Sequence, residues 1–270
     1  MTGEPDWVPP GVDTQRANVA RVYDYFLGGT HNFRPDQEAA RALAAAAPGA
    51  YTIARENRKF LGRAVRFLAA AGIRQFLDIG SGIPTQGNVH EVAQQADPDA
   101  RVVYADIDPV AIAHSKAILA DNPYTAIINA DLRAPDTILS SAITNKLIDF
   151  SQPVGLLLVA VLHFISEAED PGHLVARLRD SLAPGSYLVV SHFTDNEDAP
   201  EASAAEKVYN RSVATSVFRR TRAEIQQLFD GFDLVDPGVV YIPAWRPDSD
   251  QLASDDPAMY LGLAGVARKP

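Results

Sequence analysis

The chain has 270 residues, of which 47% are hydrophobic and 21% charged, enough to bury the core of one large α/β domain with or without a small cap. It contains no cysteine, which excludes a disulfide-stapled mini-protein, a thiolate nucleophile and cysteine-ligated zinc or iron–sulfur clusters. With 24 Lys and Arg against 34 Asp and Glu, the net charge of −10 argues against a generic nucleic-acid or anionic-membrane binder.

The N-terminal part of the chain is predicted to be helical after an irregular arm at residues 1–13. Apolar residues at helical spacing predict a first helix that Gly28 and Gly29 end, an alanine-rich second helix, and a third helix with a long apolar stripe. We interpret residues 1–72 as a helical cap. The three helices are predicted over residues 19–26, about 36–47 and about 53–71.

From Arg74 onward, short apolar runs alternate with helical patterns. The runs are continuous, which is typical of parallel strands covered on both faces, so residues 73–270 are predicted to form a doubly wound, mostly parallel α/β sheet. Helices are predicted to begin at Asp170 and at the capping box of Thr221 and Glu224. The strands are predicted over residues 75–79, 102–105, 126–128, 154–162 and 187–191, and strand-like runs at 234–242 and 259–266, with no helix between them, predict an antiparallel C-terminal pair.

Ligands of an open parallel sheet bind beyond the carboxyl ends of its strands. The residues that follow the predicted strands are therefore the candidates for a binding site. Gly80 and Gly82 follow the first strand and, lacking a Cβ, allow a ligand close to the backbone. The helix predicted at about 85–96 points its positive end at such a ligand. Thr85 stands where a dinucleotide-binding fingerprint has Gly or Ala, which disfavours NAD.

Acidic residues end the next two strands. Asp106 ends the second strand, where a carboxylate can accept hydrogen bonds from both hydroxyls of a ribose. Asp131 follows the third strand, and its carboxylate together with the Leu132 N–H can bracket the edge of an adenine. The glycine turn and Asp106 together are far more specific than either feature alone.

These segments together resemble the motif series of class I S-adenosylmethionine-dependent methyltransferases, which implies a Rossmann-like fold. The motifs in this sequence are residues 78–82, 106–109, 130–132 and 183–188. From about residue 16 to the end, the chain is similar to a bacterial family of candidate methyltransferases first catalogued as a domain of unknown function. The segments that carry this second resemblance are residues 21–33, 57–61, 87–91 and 245–248.

The resemblance implies S-adenosylmethionine as the cofactor and assigns its methionine end by position. The backbone of Gly80, Ser81 and Gly82 is expected to face the methionine part, with Asp78 orienting the loop or the amino group. Val161 and the backbone after the fourth strand are expected to form the floor near the sulfonium.

The same resemblance assigns the adenosine end. Asp106 is expected to hold the ribose hydroxyls, with Ile107 beside it among the cofactor-binding residues. Asp131 is expected to take the adenine amino group and the Leu132 N–H a ring nitrogen. Asp108 stands where many of these enzymes have Ser, so either aspartate could grip the ribose, and we favour Asp106.

His163, His192 and Tyr23 are the candidates for a catalytic role on the acceptor side. The two histidines end neighbouring strands and are expected to lie near each other, although a histidine at a strand end is more often structural. Tyr23 lies on an apolar helix face, where core packing is the more common role. Other polar residues have simpler interpretations: Asp24 as a surface charge, Asp36 as a helix cap, and residues 219–222 as a solvated helix start.

The sequence therefore predicts S-adenosylmethionine-dependent methyl transfer to a small-molecule acceptor. A non-catalytic module that senses S-adenosylmethionine or S-adenosylhomocysteine is the alternative, and an NAD-dependent oxidoreductase a less favoured third. The six histidines show no ligand spacing, so no metal site is predicted. No nucleic-acid or membrane partner is expected, and the absence of a signal-peptide pattern predicts a cytoplasmic protein. The acceptor and the oligomeric state are not specified by the sequence.

Overall fold

The computed structural model describes residues 8–9, 12–47, 49–84, 87–195, 200–248 and 261–270. Its helices are α1 (Val19–Phe26), α2 (Arg34–Ala46), α3 (Ala50–Ala70), α4 (Val89–Ala96), α5 (Pro109–Ile118), α6 (Pro135–Leu139), α7 (Ala142–Leu147), α8 (Pro171–Ser181), α9 (Pro200–Ser212) and α10 (Arg222–Gln227). Its strands are β1 (Gln75–Ile79), β2 (Arg101–Asp106), β3 (Thr125–Asn129), β4 (Gly155–Val159), β5 (Tyr187–Phe193), β6 (Asp233–Leu234), β7 (Val240–Tyr241) and β8 (Gly262–Arg268). Most of the predicted arm at residues 1–13 lies outside the described residues.

One sheet runs through the molecule in the order β3-β2-β1-β4-β5-β8-β6, with β7 paired to β8. The first five strands of this order are parallel, and Phe76 of β1 lies opposite Val102 of β2 and Gly155 of β4. β8 is antiparallel to β5, β6 and β7. The predicted doubly wound α/β sheet is confirmed, because β4 and β3 lie on opposite sides of β1 and place the chain reversal at the carboxyl end of β1.

Both faces of the sheet are covered, as the continuous apolar runs predict. One buried cluster joins Leu77, Leu156 and Leu188 to helices that include α8 and α10, and the other joins Phe76, Val102 and Val189 to the apolar stripe of α3. All five residues of β1 and of β4 are buried. Parallel strands with helices on both sides have no solvent face, which explains the absence of alternation.

The helical cap combines elements from two distant parts of the chain. A separate apolar cluster packs α1 and α2 against residues of α9, including Val208 and Tyr209, and includes Ala54 of α3. The sequence did not predict α9, which contributes part of the cap. Because α3 packs on both the cap and the sheet, the domain boundary at residue 72 remains a prediction.

Three predicted elements differ in extent from those observed. α4 begins only at Val89, where the Glu91 carboxylate accepts the Asn88 N–H at 2.9 Å, and Thr85 lies outside the described residues. The predicted strand at 234–242 is two short strands separated by a turn at Gly238, which has a φ of 80°. The start of the last predicted strand also lies outside the described residues, and β8 begins at Gly262.

Within the described part of the chain, no helix is long and apolar enough to cross a bilayer. The cytoplasmic location stays a prediction.

Candidate functional site

The carboxyl ends of β1, β2, β4 and β5 meet at one edge of the sheet, and a cavity of about 320 Å³ lies there. Residues of α1, α2, α3 and α9 also line it, so the helical cap closes over the strand ends. All the site residues predicted from the sequence line this one cavity: Tyr23, Asp78, Gly80, Ser81, Gly82, Asp106, Ile107, Asp131, Leu132, Val161, His163 and His192.

The turn after β1 requires glycine for two reasons. Gly80 has a φ of 74°, and a Cβ at this position would lie 2.4 Å from Cγ2 of Val161. Gly82 also has a positive φ, of 67°, but a Cβ there would meet nothing within 4 Å. The turn therefore lies directly against the loop after β4 and leaves bare backbone toward the cavity. The Ser81 hydroxyl is buried without a hydrogen-bond partner among the described residues.

Asp106 holds this turn to the end of β2. One carboxylate oxygen accepts the Gly82 N–H at 2.7 Å, and the other accepts the N–H groups of Ile107 and Asp108 at 2.8 Å each. Burial raises the pKa of the Asp106 carboxyl, and these three backbone hydrogen bonds oppose the rise. The oxygen that accepts the Gly82 N–H keeps one of its two lone pairs, whereas the other oxygen already accepts two hydrogen bonds.

Asp108 is the N-cap of α5, because its carboxylate accepts the N–H groups of Val110 and Ala111. Both aspartates line the cavity, Asp108 as the cap of α5 and Asp106 as the residue that fixes the glycine turn, and the preference for Asp106 as the ribose partner stays a prediction. Ile107 between them is 51% exposed and presents an apolar surface at this edge of the sheet.

The loop after β3 contributes Asp131 and Leu132. The Asp131 carboxylate accepts the Arg133 N–H at 2.9 Å, and its side chain is 39% exposed. The Leu132 side chain is buried in the core, which holds the backbone of this loop in place. Arg133 bridges the loop to the next strand end, since it donates to the Phe164 carbonyl at 2.9 Å and pairs with Glu169.

Asp78, the fourth residue of β1, is buried beside Arg58 of α3. The pKa of the Asp78 carboxyl is raised to about 7. Burial is the main cause, the Arg58 guanidinium opposes the rise, and the charge of Asp106 adds to it. Arg58 lines the cavity but was not predicted as a site residue. Two features of the sequence could have indicated it: Arg58 is a charged residue next to the apolar stripe of α3, and it lies in a segment that carries the family resemblance.

A chain of hydrogen bonds runs from α1 to the end of β4. The Tyr23 hydroxyl donates to the Ala54 carbonyl at 3.1 Å and accepts from the Asn57 amide at 3.0 Å. The Asn57 carbonyl oxygen accepts from the Ser191 hydroxyl at 2.6 Å, and that hydroxyl accepts the Ala160 N–H at 3.0 Å. Ala160 has a φ of 57°, so this chain stabilises a left-handed bend immediately before Val161.

The two histidines lie near each other as predicted, with ring centroids 5.6 Å apart. Both ring nitrogens of His192 are engaged, one with the Phe193 carbonyl at 2.7 Å and the other with Arg220 at 2.7 Å. His163 differs, because its Nδ1 atom is buried and has no hydrogen-bond partner among the described residues. Burial lowers the pKa of both rings, that of His192 to about 4 and that of His163 well below its ordinary value.

Two interpretations of charged residues were wrong. Arg220, predicted to be part of a solvated helix start, is 3% exposed and donates to the carbonyls of Leu162 and Ile165. Asp24, predicted to be a surface charge, is buried and accepts hydrogen bonds from the His31 N–H and the Asn32 amide. Arg220 is buried by tertiary contacts, because its carbonyl partners are 58 and 55 residues away, whereas Asp24 is held by the loop that follows α1.

Asp36 does cap a helix as predicted, because its carboxylate accepts the Phe33 N–H at the start of α2. It also accepts the Asn18 N–H and lies 3.6 Å from the Arg21 guanidinium, so it joins α1 to α2.

Comparison with known proteins decides the family. Residues 5–270 match the family described as S-adenosyl methyltransferase. The chain belongs to this S-adenosyl methyltransferase family. The crystal structure of a candidate methyltransferase from Thermobifida fusca YX is similar, with 44% identity, coverage of 98% of this chain and 99% of that chain, and a TM-score of 0.93. No curated protein matches the sequence.

A second similar structure is that of a DUF574 family protein. This crystal structure, from Streptomyces avermitilis MA-4680, is 38% identical, covers 96% of this chain and 99% of that chain, and has a TM-score of 0.92. The predicted membership of a bacterial methyltransferase family is therefore confirmed, and so is the Rossmann-like fold.

The residues at the strand ends fit the methyl donor of the S-adenosyl methyltransferase family. The bare turn at Gly80 provides close backbone approach, and Asp106 presents a carboxylate from a buried, fixed position. Ile107 offers an exposed apolar surface beside that carboxylate, and Asp78 a buried carboxyl beside the turn. A ribose, a flat base and an ammonium group are bound by groups of these kinds.

Proposed function

We propose that the protein transfers the methyl group of S-adenosylmethionine to a small-molecule acceptor bound beneath the helical cap. The observation that carries this proposal is a single cavity that joins the turn of Gly80 and Gly82 and the carboxylate of Asp106 to an apolar chamber under α1, α2, α3 and α9. Membership of the S-adenosyl methyltransferase family supports it. A cavity of about 320 Å³ is at the small end of the range of ligand pockets, which favours a small acceptor.

Each end of the methyl donor has candidate partners. Asp106 accepts from the ribose hydroxyls, and Ile107 lies against one face of the adenine. The Asp131 carboxylate accepts from the adenine amino group, and the Leu132 N–H donates to a ring nitrogen. The polarity of each group matches its partner, and buried charged acceptors make the stronger hydrogen bonds.

The amino-acid end of the donor carries both charges. Asp78 pairs with the ammonium group, Arg58 with the carboxylate, and the N–H groups of the turn at Gly80, Ser81 and Gly82 complete the enclosure. Asp78 and Arg58 line the same part of the cavity, so the two opposite charges of the ligand meet opposite charges of the protein.

When bound, S-adenosylmethionine supplies a methyl group on a sulfonium, which departs as a neutral thioether. The protein then contributes chiefly alignment and the exclusion of water. Tyr23 and His192, predicted as catalytic residues, act instead as positioning residues, because the phenol and both imidazole nitrogens of these side chains already bind other groups. His163 remains the candidate that touches the acceptor.

Calorimetric titration with S-adenosylhomocysteine tests the cofactor assignment through Asp106→Ala. Loss of hydrogen bonds from ribose to a charged acceptor, worth roughly 1.5–3 kcal/mol each, weakens binding by about ten-fold to more than a hundred-fold. Asp136→Ala is the matched control, because Asp136 pairs with Arg177 and its side chain is 70% exposed. Unchanged affinity in Asp106→Ala would refute the ribose assignment.

Because Asp106 also accepts three backbone N–H bonds, circular dichroism and thermal unfolding must show that the variant is folded. Asp106→Asn, which keeps the shape of the side chain, is the second variant. It is expected to weaken binding as well, since its amide presents an N–H where the ribose hydroxyls need an acceptor.

Methyl transfer separates an enzyme from a sensor. The protein is incubated with S-adenosylmethionine labelled in the methyl group and a broad panel of small metabolites, and labelled products are sought by mass spectrometry. A methylated metabolite is the expected result. Tight binding without any methylated product across the panel would favour the sensor.

A further inference from the structure

The part of the cavity beyond the turn of Gly80 is largely apolar and rich in aromatic rings. Phe26, Phe164, Phe193 and Tyr209 line it, together with aliphatic residues of α2 and α3. The rings of Phe164 and Tyr209 are stacked, with centroids 6.2 Å apart. We call these four aromatic residues and the adjoining His163 the acceptor chamber. Such walls favour a flat hydrocarbon body over a sugar or an amino acid.

His163 provides the unsatisfied polar group in this chamber. Its ring contacts those of Phe164 and Phe193, with centroids 4.3 Å apart in each pair, and the residue is 2% exposed. Its Nδ1 atom has no hydrogen-bond partner among the described residues. Because buried polar atoms are nearly always paired in folded proteins, this nitrogen indicates a place for a polar atom of the ligand.

The surroundings of His163 oppose a positive charge on its ring. Arg220 donates to the carbonyls of Leu162 and Ile165, and burial together with the charge of Arg220 lowers the pKa of His192 to about 4, so that ring is neutral as well. Burial, His192 and Arg220 all lower the pKa of the His163 imidazole. A neutral imidazole that resists protonation is a poor base for a weakly acidic hydroxyl but a competent hydrogen-bond donor.

The other charged groups around this chamber are paired with one another. Glu167 binds Arg220 from the solvent side, and Glu224 binds the backbone and hydroxyl of Thr221. Arg219 and Glu206, which both line the cavity, form an ion pair. The Glu167 side chain that pairs with Arg220 is 77% exposed and therefore screened by water, whereas the guanidinium is buried, so Arg220 leaves a positive potential behind the two histidines that favours an anion in front of them.

We propose that the methyl acceptor is a small aromatic compound with an acidic hydroxyl group, bound as its oxyanion, and that neutral His163 donates its Nδ1–H to that oxygen. This inference rests on the proposed function. A lone pair of the oxyanion forms the new O–CH3 bond while the C–S bond breaks and its electrons stay on sulfur. The acceptor loses its proton to solvent before the step, so no residue has to take one.

A chromogenic phenol tests this proposal directly. The protein is saturated with S-adenosylhomocysteine, and 4-nitrophenol or 4-nitro-1-naphthol is titrated with pH while the absorbance of the oxyanion is recorded. The pKa of the bound probe is expected to lie at least about one unit below that of the free probe, a roughly tenfold preference for the anion. His163→Gln, which keeps an N–H donor, retains most of this shift, and His163→Leu loses it.

His173→Gln is the matched control, because His173 is exposed on α8, and it should leave the shift unchanged. A bound probe that stays neutral, or loss of the shift in His163→Gln as complete as in His163→Leu, would overturn the proposal. Failure of both probes to bind would overturn it too. Calorimetry with S-adenosylhomocysteine in the same samples separates the two claims: if that ligand does not bind, the proposed function fails, and if it binds without any anion preference, only this inference fails.

Discussion

Asp78 is a buried titratable residue beside the glycine turn. Its carboxyl is buried at the end of β1, and its pKa is raised to about 7 by burial, with Asp106 adding to the rise and Arg58 opposing it. A carboxyl in this state is half protonated near neutral pH. An ammonium group beside it favours the charged form, so ligand binding and deprotonation are linked.

We therefore predict that the affinity for S-adenosylhomocysteine rises as the pH increases through about 7. The sign follows from the charge: below that pH the carboxyl is neutral and offers the ammonium no ionic partner, and above it the carboxylate does. Calorimetry between pH 6 and pH 8 measures the change. The rise is expected to disappear in Asp78→Asn and to persist in Asp136→Asn. The same rise in Asp78→Asn would show that another group is responsible.

The end of β4 is an element whose shape is imposed by its neighbours. Ala160 adopts a left-handed conformation that costs roughly 1–2 kcal/mol for a residue with a Cβ. Its N–H binds both the carbonyl and the hydroxyl of Ser191 on β5, and Asn57 of α3 holds that hydroxyl in place. The bend directs Val161 against Gly80, so a strand, its neighbour and a cap helix together shape the floor of the cavity.

Ser191→Ala is expected to lower the free energy of unfolding by about 1–3 kcal/mol, because the Asn57 oxygen loses its buried donor and the Ala160 N–H one of its acceptors. Ser186→Ala, one residue before the start of β5, is a matched control. Its buried hydroxyl accepts the Val154 N–H at 3.0 Å, far from the cavity. Chemical denaturation should show a loss in both variants. Only Ser191→Ala should also weaken S-adenosylhomocysteine binding, and equal affinities in the two variants would contradict a role for the bend in the site.

The helical cap packs against the sheet around the site. α1 and α2 come from the start of the chain and α9 from the connection after β5, and they share one apolar cluster. α3 belongs to this cluster through Ala54 and to the sheet core through Phe60. A ligand in the cavity would contact both the helical cap and the sheet, so its binding would stabilise the packing of the cap on the sheet.

A thermal-shift comparison tests the ligand class for the complete protein. At a concentration one hundred times its dissociation constant, S-adenosylhomocysteine adds about 2.7 kcal/mol of stability. For a chain of this size that corresponds to an increase in Tm of roughly 5–10 °C. NAD is expected to give no shift, because Thr85 stands where a dinucleotide-binding fingerprint has Gly or Ala. A larger shift with NAD would overturn the cofactor assignment.

Much of the fold and of the cofactor site could be predicted from short-range patterns. Continuous apolar runs indicated the parallel strands, and the order of strand, glycine turn and acid placed Gly80, Gly82 and Asp106 at one edge. These features depend on residues that are close in sequence or on the general geometry of an open sheet. The nearness of His163 and His192 followed from the same geometry.

The amino-acid sequence by itself determined the fold class, the family resemblance and the line of candidate residues along the strand ends. Only the tertiary structure decided the tasks of those residues. It made Asp108 a helix cap, engaged the two ring nitrogens of His192 with the Phe193 carbonyl and with Arg220, and left Nδ1 of His163 buried without a hydrogen-bond partner among the described residues. The reason is that burial and hydrogen-bond partners come from distant parts of the chain: Ser191 and Asn57, which meet at 2.6 Å, are 134 residues apart.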